Sequence, residues 1–402
     1  MKKTFIIAGI IVALIAIGGG AYLFFTRQAD TGTPSGLQSF FGFGKPSPST
    51  SQGDPAIDPS TNTVLSTDGA PVLKQLTTTP VSGFAVDTDS AGNTMVYYQE
   101  RALGHVSQLF LPNTTPTTIS SSTEPTIYQS FWGRGGSDVV MQWTGDSSTI
   151  KTATEHLSSG VHTALPDNIS AFTVSPDKTK AFFLVKTPQG ATGYTTTLDG
   201  KTQKSVFTSP LREWLVAWVN PTTLTFTTKP SARISGSIST MSTATFSPKI
   251  VLSGKTGLTG ILSPDGKTIV YSESTPGSMQ TNYYTLATGA TSRAPFTTLP
   301  EKCVWSGVEK TAVYCAVPSS IPQGEYPDAW YMGTVSFSDT IWKFNTSDTS
   351  IYSGRIVING NDGVHFDAIN LTLDPSEHYI LFMNKVDGTL WSIDLTQAVG
   401  LD

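Results

Sequence analysis

Cysteine is nearly absent from this chain, with two among 402 residues, Cys303 and Cys315. That excludes a disulfide-dense scaffold and a cysteine-built zinc centre. Charge is scarce as well, 14% of residues against ~25% in ordinary soluble domains. The net charge is −5 and no basic stripe is present, so nucleic acid is excluded as a partner. The five histidines, His105, His156, His162, His365 and His378, are scattered. Neither a His-Glu-x-x-His helix nor a Gly-x-Ser-x-Gly elbow occurs, so the expectation is a protein that is not an enzyme and carries no cofactor or metal. The one calcium-like start, Asp87-Thr88-Asp89, has Ala91 where a third ligand belongs and reads as a plain hairpin turn.

Long apolar runs are also missing, with one exception. Lys2 and Lys3 precede an uncharged stretch from Phe5 to Phe25, and Arg27 follows it. A helix crossing the hydrocarbon core needs ~20 residues, and this stretch suffices. The positive charges preceding it place the N-terminus in the cytoplasm and everything after Arg27 outside. The rival is a cleaved signal peptide cut near Gly19-Gly20-Ala21, but the apolar run continues past that point to Phe25. Residues 1–27 are therefore expected to be a cytoplasmic tip and membrane anchor, with residues 5–25 in lipid.

Residues 28–70 are rich in Ser, Thr, Pro and Gly and show neither helical nor strand periodicity. Such a segment buries too little apolar surface to offset its ordering entropy and reads as a flexible linker. Phe40, Phe41 and Phe43 interrupt it, either as a membrane-surface contact or as a short docking motif.

From residue 71 onward the chain repeats. The clearest unit is Ser263-Pro264-Asp265-Gly266-Lys267 followed by Ile269-Val270-Tyr271, a strand, a Pro-Asp-Gly turn and a returning strand. Val174-Ser175-Pro176-Asp177 and Leu373-Asp374-Pro375-Ser376 are copies. Aligned on the large residue of the returning strand, the series is Tyr97, Met141, Phe183, Phe226, Tyr271, Tyr314 and Phe382. Successive members lie 42 to 45 residues apart, except for a last interval of 68. That period suits a four-stranded propeller blade. The long interval is too short to hold another blade and reads as an insertion in the sixth, so residues 71–402 are expected to be an all-β, seven-bladed propeller of four-stranded blades. The last repeat supplies three strands, around Asn370–Leu373, Tyr379–Met383 and Leu390–Leu395. Val72-Leu73-Lys74-Gln75-Leu76 has no partner of its own and is expected to close the ring as the outer strand of blade seven.

The Ser-Pro-Asp-Gly-Lys turn with its returning apolar strand resembles the repeat of TolB-like propellers of bacterial envelopes. The motif is well kept in blades three, five and seven. The resemblance implies a protein-interaction platform, usually without an active site. With the anchor it points to a membrane-tethered scaffolding module outside the cytoplasm, whose partner is an envelope protein. The alternative is an envelope hydrolase acting on a glycan or ester, with acid and base on the channel face.

Two constellations remain. If Val304-Trp305 and Val313-Tyr314 pair as a hairpin, Cys303 falls opposite Cys315, within reach of a disulfide that an extracytoplasmic location would favour; two reduced, buried thiols are the alternative. The insertion, from Pro318 to about Phe337, carries Tyr326, Asp328, Trp330 and Tyr331. These are candidate binding residues on the face formed by links between second and third strands, or else they fold back as packing.

Overall fold

The computed structural model describes residues 63–65, 71–124, 126–145, 148–347, 354–358 and 364–397. They form seven antiparallel sheets arranged as successive blades. Blade one spans Val81–Thr88, Thr94–Glu100, Val106–Phe110 and Thr117–Ser120, in chain order. Blades two to six repeat that order, beginning at Ile127, Ile169, Trp214, Thr259 and Cys303. Blade seven takes Ala368–Leu373, Tyr379–Asn384 and Leu390–Asp394 from one end of the propeller sequence and Pro71–Gln75 from the other. This seven-bladed ring is the architecture that the TolB-like resemblance implies.

The repeat exists because one buried position recurs. Tyr97, Met141, Phe183, Phe226, Tyr271, Tyr314 and Phe382 all fall on second strands, and none is more than 5% exposed. Blade faces are apolar on both sides, so each blade buries itself against its neighbours. Seven core clusters result, each shared by two successive blades. Phe182 meets Phe226 between blades three and four, and Leu381, Met383 and Leu390 of blade seven meet Val81, Val96 and Leu109 of blade one. That last cluster closes the circle.

The Pro-Asp-Gly turns follow from two requirements. Ser263 is wholly buried, and its hydroxyl accepts from the backbone N–H of Thr268 (3.0 Å) while donating to Asp265 (2.6 Å). The residue after Asp265 needs a left-handed backbone, which Gly266 supplies at φ 74°. Blade seven keeps the geometry with other chemistry. Asp374 stands in for the serine and accepts from Tyr379 N (2.6 Å), and Glu377 takes the left-handed position at φ 55°.

Closure has one feature absent from the sequence reading. Leu73, Lys74 and Gln75 pair with Ile393, Ser392 and Trp391, but this strand is not the outermost of its blade. Thr63–Leu65 pairs outside it as a fifth strand, within the range read as linker. A lone edge strand leaves a row of unpaired backbone groups, and three further residues suffice to cover part of it. The rest of residues 28–70, with Phe40, Phe41 and Phe43, lies outside the described residues. So does the apolar run Phe5–Phe25. Among the described residues no helix is long and apolar enough to cross a membrane.

Candidate functional site

The links between second and third strands, and those from one blade to the next, emerge on the same face of the ring. The longest is the blade-six insertion, residues 319–338, between Ala312–Pro318 and Asp339–Asn345. It carries one helical turn, Asp328–Tyr331. The insertion does not stand up from the ring; it lies across neighbouring blades. Arg233 of blade four holds Glu325 through paired hydrogen bonds (2.6 and 3.1 Å). The Ala232 N–H donates to Asp328 Oδ2 (2.5 Å), and Ser274 of blade five donates to the carbonyl of Tyr326.

The candidate binding aromatics point inward. Tyr326 is 1% exposed and Trp330 is 4% exposed, packed with Met279, Leu299 and Phe337. Tyr331 is half-buried and its hydroxyl donates a hydrogen bond to Glu301 Oε1. Asp328 is occupied by the Ala232 amide. Neither Tyr326 nor Trp330 offers its ring to a partner, because burying so large an apolar side chain against Leu299 and Phe337 is worth more than leaving it wet. Of the two alternatives for the insertion, Tyr326 and Trp330 take the packed one and form a strap.

Beneath the strap is a buried charge cluster that no motif announces. Lys302 has no exposed surface, and its three ammonium protons reach Asp339 (2.7 Å), Asp367 and the carbonyl of Ala368 (3.0 Å). Asp367 also accepts from Trp330 Nε1, from Ser336 Oγ (3.1 Å) and from the Phe337 N–H (3.0 Å). The Lys302 ammonium lies 5.3 Å from the Trp330 ring centroid, and that of Lys385 lies 5.1 Å from it, within cation–π range. Burial pushes Asp339 up to about 6 despite the adjacent Lys302, and one of its oxygens has no partner. Burial likewise raises Glu301, in spite of the Tyr331 hydroxyl, and lowers Lys385.

Asp339 and Asp367 are close enough to suggest an acid–base pair for hydrolysis. Both side chains are fully enclosed and share one lysine, so substrate has no access to them. The cluster clamps the insertion to blades six and seven.

The same face also exposes apolar side chains beside the charged pair Arg233–Glu325. Leu103, Leu211, Ile234, Met332 and Val386 are between 44% and 65% exposed, and each sits on one of its links. They are half of the large hydrophobic residues exposed among the described residues. A cleft of about 260 Å³ opens between the insertion and blades four and five, lined by Arg233, Ser274, Gly277 and Glu325.

Cys303 and Cys315 are directly opposed across two strands of blade six and joined by a disulfide. They lie in the core between blades five and six. Asp87 accepts from the Gly135 N–H (2.8 Å) and pairs with Lys178 (3.6 Å), while Asp89 caps its own turn through Ala91 and Asn93. Among the described residues no group of acidic, histidine or cysteine side chains is placed to hold a metal.

No family model matches the chain. No curated protein matches it either. Solved structures do. An oligogalacturonate lyase from Vibrio parahaemolyticus matches at a TM-score of 0.55 and 9% identity, over 83% of this chain and 96% of that one. Tricorn protease matches at 0.51 and 10%, over 79% of this chain and 34% of that one. TolB from Acinetobacter baumannii matches at 0.43 and 14%, over 77% of this chain and 65% of that one. The chain thus spans under two thirds of that TolB and about a third of the protease. At such identities the likeness is one of fold, and the class defined is the β-propeller.

Proposed function

We propose that the protein is a membrane-tethered binding module of the bacterial cell envelope, its propeller held outside the cytoplasm by residues 5–25 and presenting one face to an envelope protein. The observation that carries this reading is the gathering of Leu103, Leu211, Ile234, Met332 and Val386 on the links of a single face. Scattered exposed hydrophobics need no explanation, but apolar side chains concentrated on one face favour protein contact. The buried clamp beneath supports it, because a fixed surface loses less ordering entropy on binding than a mobile loop.

The test is a cross-linking pull-down from detergent-solubilised envelopes. An Ile234→Glu, Met332→Glu variant alters two exposed positions on this face. A Val308→Glu variant alters a still more exposed residue on the opposite face. Loss of a partner in the first variant and its retention in the second is the expected result; equal recovery in both sinks the reading. Location is tested separately with alkaline phosphatase, which folds only where disulfides form, fused after Leu395. Activity of that fusion in intact cells is expected, and an inactive fusion would place the propeller inside.

A further inference from the structure

We propose that Ser158, His156 and Asp138 form a nucleophile relay for ester hydrolysis, at the edge of a cleft between blades two and three on the face opposite the strap. This inference does not depend on the binding reading above.

Asp138 begins the second strand of blade two and His156 ends the third, and the antiparallel register sets them directly opposite each other. Asp138 Oδ1 lies 2.8 Å from His156 Nδ1, while its Oδ2 accepts from Ser137 Oγ (2.7 Å). With Nδ1 donating to that carboxylate, Nε2 carries the lone pair. Nε2 lies 3.1 Å from Ser158 Oγ. The order hydroxyl, imidazole, carboxylate is the one that activates a serine. Burial is graded in the same sense: Asp138 is 9% exposed, His156 is half-buried and Ser158 is exposed.

A serine bonded to a half-buried histidine two residues before it is ordinary turn structure. Two further observations set this one apart. The second imidazole nitrogen is held by a carboxylate that is itself fixed, so ring and tautomer are set before any ligand arrives. Beside it is a cleft of about 430 Å³, lined by Asp138, His156 and Ser159, with Ser158 between the last two in the chain. Arg134, Lys178 and Lys201 line the same cleft. Lys201 pairs with Asp199 (3.1 Å) and Lys178 with Asp87 (3.6 Å), whereas Arg134 has no carboxylate partner among the described residues. This excess of cation selects esters that carry an anionic group, a carboxylate or phosphate, which Arg134 can hold through paired hydrogen bonds.

The reaction needs only water besides the ester. Ser158 Oγ attacks the carbonyl carbon as its proton passes to His156 Nε2. The carbon–oxygen bond to the alcohol breaks, and the alcohol leaves with that proton. Water then attacks the acyl-serine by the same route, which releases the carboxylic acid and restores the Ser158 hydroxyl. Asp138 touches no reacting atom and is a positioning residue.

The test uses the full chain with a fluorophosphonate probe and two chromogenic esters, anionic p-nitrophenyl succinate and neutral p-nitrophenyl acetate. Phosphonylation of Ser158, located by mass spectrometry, is expected. Ser158→Ala should abolish that adduct and slow succinate hydrolysis at least tenfold, with an unchanged thermal transition because the side chain is exposed. His156→Gln should suppress labelling likewise. Asp138→Asn should lower kcat with KM unchanged, whereas Arg134→Ala should raise KM for the succinate and not for the acetate. An adduct found only elsewhere, or a Ser158→Ala protein as fast as wild type, would overturn the proposal.

Discussion

The indole N–H of Trp330 donates to both carboxylate oxygens of Asp367, at 2.9 and 3.1 Å, and both residues are buried. One residue comes from the middle of the insertion and the other from just before the innermost strand of blade seven. Their contact converts a long link into a strap, since it satisfies a buried charge that Lys302 alone would leave short of donors. Removing the donor should therefore cost more than removing a solvated hydrogen bond.

Trp330→Phe keeps most of the ring and deletes the N–H. It is expected to destabilise the protein by roughly 1–3 kcal/mol, the range for stripping a partner from a buried acceptor. Trp330→Ala also opens a cavity among Leu299, Tyr326 and Phe337 and should cost about 3–5 kcal/mol. Urea unfolding separates the two. Equal midpoints for Trp330→Phe and wild type would mean that Asp367 does not rely on the indole.

Asp339 makes stability depend on pH with a definite sign. Its pKa is raised by burial from 3.8 to about 6, so the folded protein holds that proton more tightly than the unfolded chain. Stability contributed by this group is present below 3.8 and is lost as pH rises toward 6. Glu301, also raised by burial, acts in the same direction. Asp339→Asn cannot titrate and still offers an oxygen to the Ala368 N–H, which Asp339 accepts at 2.7 Å. Its urea midpoint should vary less with pH across this window than that of wild type. An unchanged slope would exclude Asp339 as the titrating group.

The ring was legible in the sequence because a propeller uses the same buried position once per blade, so Tyr97 through Phe382 register as a period. The cysteine pair was legible for a related reason: in a short hairpin, register follows from the apolar residues beside it. The charge cluster was not, since Lys302 and Asp367 are 65 residues apart and neither sits in a patterned context. Thr63–Leu65 escaped notice because three residues are too few to show alternation. For Tyr326 and Trp330 the composition of the insertion admits both binding and packing, and only the placement of Leu299 and Asp367 decides between them. His156 read as one scattered histidine because its carboxylate lies across a strand pair, 18 residues away.

The disulfide spans 12 residues of chain. Constraining a loop of that size in the unfolded state stabilises by about 3 kcal/mol in the chain-entropy account. Replacing both Cys303 and Cys315 by Ala should lower the unfolding free energy by a similar amount, and reduction of the wild type should match it. Two free thiols titrated in the unfolded, unreduced protein would show instead that the pair is not joined.

Closure rests on Leu73, which is fully buried between Tyr314, Phe382 and Ile393 in the core shared by blades six and seven. Its strand pairs with one from the far end of the propeller sequence, Leu73 with Ile393 and Gln75 with Trp391, so blade seven is completed only when the two ends meet. Leu73→Ala is expected to cost about 2–5 kcal/mol, as for other leucines cut back in a core. If the ring unfolds as one unit, that loss should appear as a single shifted transition by both circular dichroism and tryptophan fluorescence. Separate transitions by the two probes would show that blade seven opens independently while blades one to six hold together as an open array.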